Sequence, residues 1–142
     1  MPGASDWLSW DRYETTLISS LRQYAHFIVS YDLRPRIAST SVVWRGRLYC
    51  EGAFEVAINQ RQDVRRSHGR IQVRTVRYSY QVLVRQPTLS ELVRYDNFHV
   101  HPGHSDAHHA HRYGSIMHVG AALAPDLVDV LAEAESLWRG RR

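Results

Sequence analysis

The sequence contains no lysine and only one cysteine, and these shortages exclude several classes of site. All 18 basic residues are arginines; they outnumber the 14 acidic residues and give a net charge of +4. With Cys50 alone, the chain can form neither an internal disulfide nor a cysteine-rich zinc site. No apolar run approaches the roughly 20 residues of a membrane-spanning helix. Residues 1–10 also lack the basic-then-apolar layout of a secretion signal. Together these features predict a cytoplasmic protein.

The basic charge indicates a polyanionic partner. Arginine binds phosphate through two parallel hydrogen bonds and stacks on nucleic-acid bases, which lysine does less well. The sequence pI is about 9.6. The charge and the choice of arginine favour nucleic acid as the first candidate partner.

Apolar periodicity predicts a helix near each end of the chain and strands between them. Residues 10–24 and 125–138 have apolar side chains at intervals of three and four, and Ser9 or Asp11 is placed to cap the first helix. Alternation of apolar and polar residues predicts strands at 25–33, 39–50, 54–59, 70–86, 89–95 and 115–119. The polar run 60–69 is interpreted as a loop, with a solvated hairpin tip favoured over an arm that contacts phosphate. A shift of phase near Thr75 and Val76 indicates a β-bulge or a break into two strands. The order predicts one α+β domain over residues 1–142, a twisted antiparallel sheet flanked by an N-terminal and a C-terminal helix.

Histidines concentrate in one stretch of the second half. Seven of the nine lie between His99 and His118, directly after the tetrapeptide RYDN at 94–97. Side chains at a strand end that opens into a loop are both positioned and accessible. Histidine titrates near neutrality, so a cluster offers acids, bases, metal ligands and anion contacts. The stretch therefore predicts a functional site.

The first chemistry that this stretch supports is metal-independent RNA cleavage. One imidazole would take the 2′-hydroxyl proton, a second would protonate the leaving 5′-oxygen, and an arginine would stabilise the phosphorane. The candidate catalytic residues are Arg94, Asp96, His101, His108, His109 and His111. Candidate RNA contacts are Tyr78, Tyr80, Tyr95, Asn97 and Arg112. Tyr78 and Tyr80 share one face of a predicted strand, so packing in the core is the alternative for both.

Two other functions remain open. His99, His101, His109 and His111 form a nitrogen-rich set that suits zinc or another divalent transition metal, which predicts a metal-dependent nuclease or phosphoesterase. A nucleic-acid-binding or interaction module without catalysis is the third possibility.

The order of these motifs resembles that of the TumE-like toxin family. The resemblance covers residues 70–138 and rests on Tyr-x-Tyr at 78–80, RYDN at 94–97, the HHAH sequence at 108–111, His118-Val119 and the closing helix. It implies the toxin of a type II toxin–antitoxin pair, which forms an oligomer with a cognate antitoxin, commonly a helix-turn-helix protein. Two positions depart from the family pattern: Ala110 replaces a lysine, and His99-Val100-His101 replaces a contiguous histidine pair.

Overall fold

A computed structural model describes residues 7–97, 108–112 and 125–141, together with the backbone of 118–121. Its helices are α1 (Trp10–Gln23) and α2 (Leu127–Gly140). Its strands are β1 (Leu8–Ser9), β2 (Ile28–Tyr31), β3 (Arg34–Ile37), β4 (Ser41–Cys50), β5 (Phe54–Ser67), β6 (Arg70–Val84), β7 (Ser90–Asp96), β8 (His109–Arg112) and β9 (His118–Ala121). A helix near each end and strands between them confirm the predicted α+β class.

The strands of the described residues form one antiparallel sheet in the order β2-β4-β5-β6-β7-β8-β9. The short strands β1 and β3 pair with β6 and β4, respectively. Successive strands in this order are mostly neighbours along the chain, as hairpin connections produce. The last two strands, β8 and β9, carry the second half of the histidine-rich stretch.

The hydrophobic core lies on one face of the sheet, and both helices pack there. Leu48, Val56, Val82 and Val93 form a row of paired residues across β4, β5, β6 and β7, and all four are buried. Because side chains alternate between the two faces of a strand, this row identifies the face that the helices cover. The buried residues of α2 belong to the same core.

Each helix begins at a residue that satisfies its first backbone N–H groups. The Ser9 side chain accepts a hydrogen bond from the backbone N–H of Arg12, which confirms Ser9 as the cap of α1. In α2, Asp126 and Asp129 form a reciprocal capping box. Among the described residues, neither helix has the length and the apolar character needed to cross a membrane.

The prediction of a loop at 60–69 is wrong. Strand β5 continues to Ser67, and only His68 and Gly69 form the turn, both with positive φ. A hairpin tip is present as predicted, but it is confined to these two residues, and residues 60–67 belong to β5. Arg65, for example, lies over the ring of Trp7, with its Cζ atom 4.2 Å from the ring centroid, and this cation–π contact stabilises the hairpin.

The predicted bulge near Thr75 and Val76 is confirmed. Arg61 pairs with Arg77 and Gln62 pairs with Thr75, which leaves Val76 as the extra residue of β6. The prediction for 115–119 is confirmed only in part, because β9 begins at His118 and residues 115–117 lie outside the described chain.

On the face away from the helices, Glu55 is buried between two arginines. Arg47 Nη1 lies 2.7 Å from Glu55 Oε1, and Arg85 donates to Oε2. Burial by itself would raise the pKa of Glu55, but the hydrogen bonds and charges of Arg85 and Arg47 outweigh it and hold that pKa below its usual range.

Candidate active site on strands β7 and β8

The pairing of β7 with β8 brings the two motifs of the histidine-rich region together. Arg94 lies opposite His111, and Asp96 lies opposite His109. The RYDN tetrapeptide and the HHAH sequence, separated by ten residues of chain, therefore lie on paired strands, with Arg94, Tyr95 and Asp96 opposite His111, Ala110 and His109. Directly opposite residues on one face of a sheet have Cβ atoms about 4.5–5.5 Å apart.

The sheet divides the predicted site between its two faces. Val93 and Tyr95 belong to the face that the helices cover, so Arg94 and Asp96 lie on the other face. By the same alternation, His109 and His111 lie on the face that holds their partners Asp96 and Arg94. Ala110 and Arg112 lie on the helix side. Four of the predicted catalytic residues are therefore brought together, and we call Arg94, Asp96, His109 and His111 the β7–β8 cluster.

Asp96 is at the centre of the β7–β8 cluster. Its Oδ2 atom lies 3.0 Å from Arg94 Nε and 3.8 Å from His111 Nε2. The Arg94 N–H is not directed at the oxygen, so we describe the first contact as an ion pair and not as a hydrogen bond. Asp96 Oδ1 is buried and has no hydrogen-bond partner among the described residues. One carboxylate oxygen thus stays available to a further donor.

The histidines of the cluster are buried, and the arginine is its accessible member. His109 and His111 are 0% and 2% exposed, and their ring centroids are 6.5 Å apart. The Arg94 side chain is 32% exposed and also approaches Glu91, at 3.8 Å. Within the cluster, the Arg94 guanidinium is therefore the group that an anion can contact from solvent.

His108 lies apart from the cluster and contacts Tyr78. The Tyr78 hydroxyl is hydrogen-bonded to His108 Nδ1 at 2.8 Å, and the two rings stack with centroids 5.7 Å apart. Burial and the charge of Asp96 raise the pKa of Tyr78, so its phenol stays protonated. Tyr78 and Tyr80 are both buried. Core packing, the alternative that the sequence left open for these tyrosines, is the arrangement found, and stacking on bases would require exposure that they lack here.

Tyr95 and Arg112 connect the sheet to α2. The Tyr95 hydroxyl donates to Glu133 and accepts a hydrogen bond from Arg112 Nη2 at 2.6 Å. Arg112 Nε also lies 3.2 Å from Glu133. Burial and the hydrogen bond to Glu133 raise the pKa of Tyr95 to about 12. Both residues are thereby held in contacts within the protein.

Asn97 supports the bulge of β6. Its side-chain oxygen accepts from the backbone N–H of Tyr78 at 2.9 Å, and its amide nitrogen donates to the carbonyl of Val76 at 3.0 Å. These two bonds replace ladder bonds that the extra residue interrupts. The polar residue that ends the RYDN motif thus has a structural role.

Two predicted residues, His99 and His101, lie outside the described chain. Over the part that the structure does describe, no group of three or more histidine, cysteine, aspartate or glutamate residues is placed to hold a metal ion. The metal-binding alternative involves His99 and His101, so it stays a prediction.

A second candidate site, which the sequence did not indicate, lies on the helix side. A cavity of about 430 Å³, partly open to solvent, lies between α1, the start of α2 and the sheet. Gln60, Gln62 and Thr75 line it, although the first two belong to the run interpreted as a loop. The sequence offers a clue to one polar residue of the wall, although not to the cavity itself, because Gln60 continues the alternating core-facing series of Val56 and Ile58.

Comparison with protein-family models, with curated proteins and with solved structures gives no match for this chain. The resemblance to the TumE-like toxins therefore rests on the motif residues alone and stays a prediction.

Proposed function

We propose that the chain is a metal-independent endoribonuclease whose active site is the β7–β8 cluster, and that it acts as the toxin of a type II toxin–antitoxin pair. The observation that supports the catalytic proposal is the pairing of β7 with β8, which places two imidazoles, a carboxylate and an arginine on one face. RNA is the proposed substrate, in keeping with the net charge of +4.

The separation of the imidazoles suits a pair of proton-transfer groups around one phosphate. A general acid or base must lie about 2.6–3.2 Å from the oxygen with which it exchanges a proton. Rings whose centroids are 6.5 Å apart can each reach a different oxygen of one phosphoryl group once this buried face opens. Asp96, 3.8 Å from His111, would stabilise the protonated form of that ring.

In the proposed reaction one neutral imidazole accepts the proton of the 2′-hydroxyl, and the 2′-oxygen attacks phosphorus. The other imidazole, protonated, donates its proton to the 5′-oxygen as the P–O bond breaks. The products are a 2′,3′-cyclic phosphate and a free 5′-hydroxyl. Arg94 balances the charge that develops on the phosphorane oxygens. Because His109 and His111 are buried, RNA reaches them only when this face opens.

The experiment is RNA cleavage by the wild type, His109→Gln, His111→Gln and Arg94→Gln in the presence of a chelator. Each substitution should lower the rate about a hundredfold or more, because a proton-transfer group or a charge at the phosphorane is lost. His26→Gln is the matched control, since His26 is an exposed histidine remote from the cluster and paired with Glu135. The wild-type products should carry 2′,3′-cyclic phosphate ends, and the rate should be bell-shaped against pH.

The same variants test the toxin proposal in cells. Expression of the wild type alone should arrest growth, co-expression with its cognate antitoxin should restore growth, and the three cluster variants should be harmless. Circular dichroism identifies variants that remain folded. Folded cluster variants that cleave RNA at the wild-type rate would refute the assignment of the site. Arrest of growth with RNA left intact would refute ribonuclease action.

A further inference from the structure

The cavity on the helix side of the sheet is larger than a packing defect. Protein interiors contain few voids bigger than a water molecule, and an engineered cavity of about 150 Å³ already binds benzene. The volume here, about 430 Å³, falls in the range of about 300–1,000 Å³ typical of small-molecule pockets. Leu17, Ile58 and Val73 contribute to its apolar wall.

A partly buried network of side-chain hydrogen bonds forms the polar part of the wall. Gln60 Nε2 donates to the Tyr13 hydroxyl at 2.7 Å and to Thr75 Oγ1 at 2.8 Å. Gln60 Oε1 accepts from the Tyr80 hydroxyl at 3.1 Å. Gln62 Nε2 approaches the same Thr75 oxygen at 3.3 Å. The amide of Gln60 is therefore fully engaged and fixes the orientation of its neighbours.

This network leaves two hydroxyl hydrogens available to a ligand. The oxygens of Tyr13 and Thr75 both act as acceptors toward the glutamines, so each hydroxyl retains its own hydrogen as a donor. Neither has an acceptor among the described residues. Burial raises the pKa of Tyr13 far above neutrality, so its phenol is a neutral donor. Both residues are half-buried, so a ligand oxygen that accepts hydrogen bonds from these hydroxyls would be partly shielded from competing water.

The charged groups of the wall are few. Among the described residues that line the cavity, Arg12 and Asp126 are the two that carry a formal charge. Arg12 is exposed and Asp126 is half-buried. The other described residues of the wall are uncharged, so a charged ligand would lose hydration with little compensation from them.

We propose that this cavity is a binding site for a neutral, largely apolar small molecule that carries a carbonyl-type oxygen, which accepts hydrogen bonds from Tyr13 and Thr75. The site is separate from the β7–β8 cluster, since the two lie on opposite faces of the sheet. Ligand binding and RNA cleavage can therefore succeed or fail independently.

The test uses prodan, a neutral naphthalene dye with a ketone oxygen and an emission that depends on its surroundings. The full chain should bind prodan saturably at one site with a blue shift of the emission. Acetylnaphthalene should displace the dye about 2- to 10-fold better than ethylnaphthalene, which has the same shape without the oxygen, because one neutral hydrogen bond contributes that factor.

Two cavity variants and a matched control decide the outcome. Leu17→Trp fills the cavity and should abolish dye binding. Tyr13→Phe keeps the volume, removes one donor, and should reduce the preference for acetylnaphthalene over ethylnaphthalene. Tyr31→Phe is the control, because Tyr31 is an exposed tyrosine of β2 outside the cavity, and it should behave as the wild type.

Absence of saturable binding to the folded wild type overturns the proposal. Undiminished binding to folded Leu17→Trp also overturns it, because the dye would then occupy another place. If Leu17→Trp fails to fold, Tyr13→Phe alone decides. An unchanged preference between the two naphthalenes in that variant refutes recognition by the Tyr13 hydroxyl.

Discussion

Replacement of Asp96 by asparagine tests how much the negative charge of Asp96 stabilises the β7–β8 cluster. Asp96 is 5% exposed, and its carboxylate lies 3.0 Å from Arg94 Nε. Asparagine keeps the size and one carbonyl oxygen but removes the negative charge. Because a guanidinium cannot lose its proton in a protein, Arg94 would stay charged and lose its nearest counter-ion.

The expected loss of stability follows from the distance and the exposure. Two unit charges 3.0 Å apart attract each other by about 5 kcal/mol at an effective dielectric constant near 20. Renewed hydration offsets part of this, since the Arg94 side chain is 32% exposed. We expect Asp96→Asn to lower the free energy of unfolding by about 1–3 kcal/mol. For a chain of this length, Tm should fall by about 3–10 °C.

The matched control is Asp63→Asn. Asp63 pairs with Arg74 at 3.6 Å, but its side chain is 42% exposed and that of Arg74 is 37% exposed. Exposed pairs contribute about 0–1 kcal/mol, so this variant should unfold close to the wild type. Urea unfolding at neutral pH, followed by tryptophan fluorescence, measures both. An Asp96→Asn chain as stable as Asp63→Asn would refute the reasoning. The desolvation of the Asp96 carboxylate would then cancel its attraction to its charged partners.

The strand and helix pattern was predictable where one side of an element is apolar. Val82 and Val84 keep a period of two in β6, and the shift of phase near Thr75 and Val76 coincides with the bulge at Val76. Ser9 was predictable because a serine directly before an apolar helical pattern satisfies the first N–H groups. In these cases the local sequence determines the local structure.

The strand through residues 60–67 was not predictable from alternation alone. Gln60 and Gln62 occupy buried positions, where apolar residues are the rule, so the binary pattern indicated a loop. Their amides are satisfied by partners from distant parts of the chain, such as Tyr13, 47 residues away from Gln60, and Trp44, which donates to Gln62 at 2.9 Å. Such partners become apparent only once the tertiary fold is known.

The candidate site was predictable as a set of residue types and not as an arrangement. In a strand, His109 and His111 point to one face of the sheet, and His108 and Ala110 point to the other. Which of these faces also holds Arg94 and Asp96 can be known only from the bounds of β8 and its register with β7. Asn97 matched the motif for an RNA contact, yet its amide is used on the bulge of β6. The cavity has no sequence signal of its own because it is the space that several elements leave unfilled.

Two further predictions concern the stability of the sheet and its contact with α2. Gly52→Ala should destabilise the fold by about 1–3 kcal/mol in chemical unfolding, because φ is +67° and a Cβ atom would lie 2.4 Å from the Trp138 ring. Gly69→Ala, at φ +74° with open space around it, provides the control for backbone strain alone, and equal effects of the two substitutions would contradict the role of Trp138. Glu55→Gln should flatten the dependence of stability on acid pH, since the pKa of Glu55 is lowered in the folded chain by its two arginine partners. A carboxyl group whose pKa is lowered by folding stabilises the folded chain at pH values above its unfolded pKa, which is about 4.3 for glutamate. That stabilisation is lost as the pH falls through the pKa of the folded state. Urea unfolding between neutral and strongly acidic pH should therefore show a steeper loss for the wild type than for Glu55→Gln, and parallel curves would mean that the arginines do not favour the ionised carboxylate.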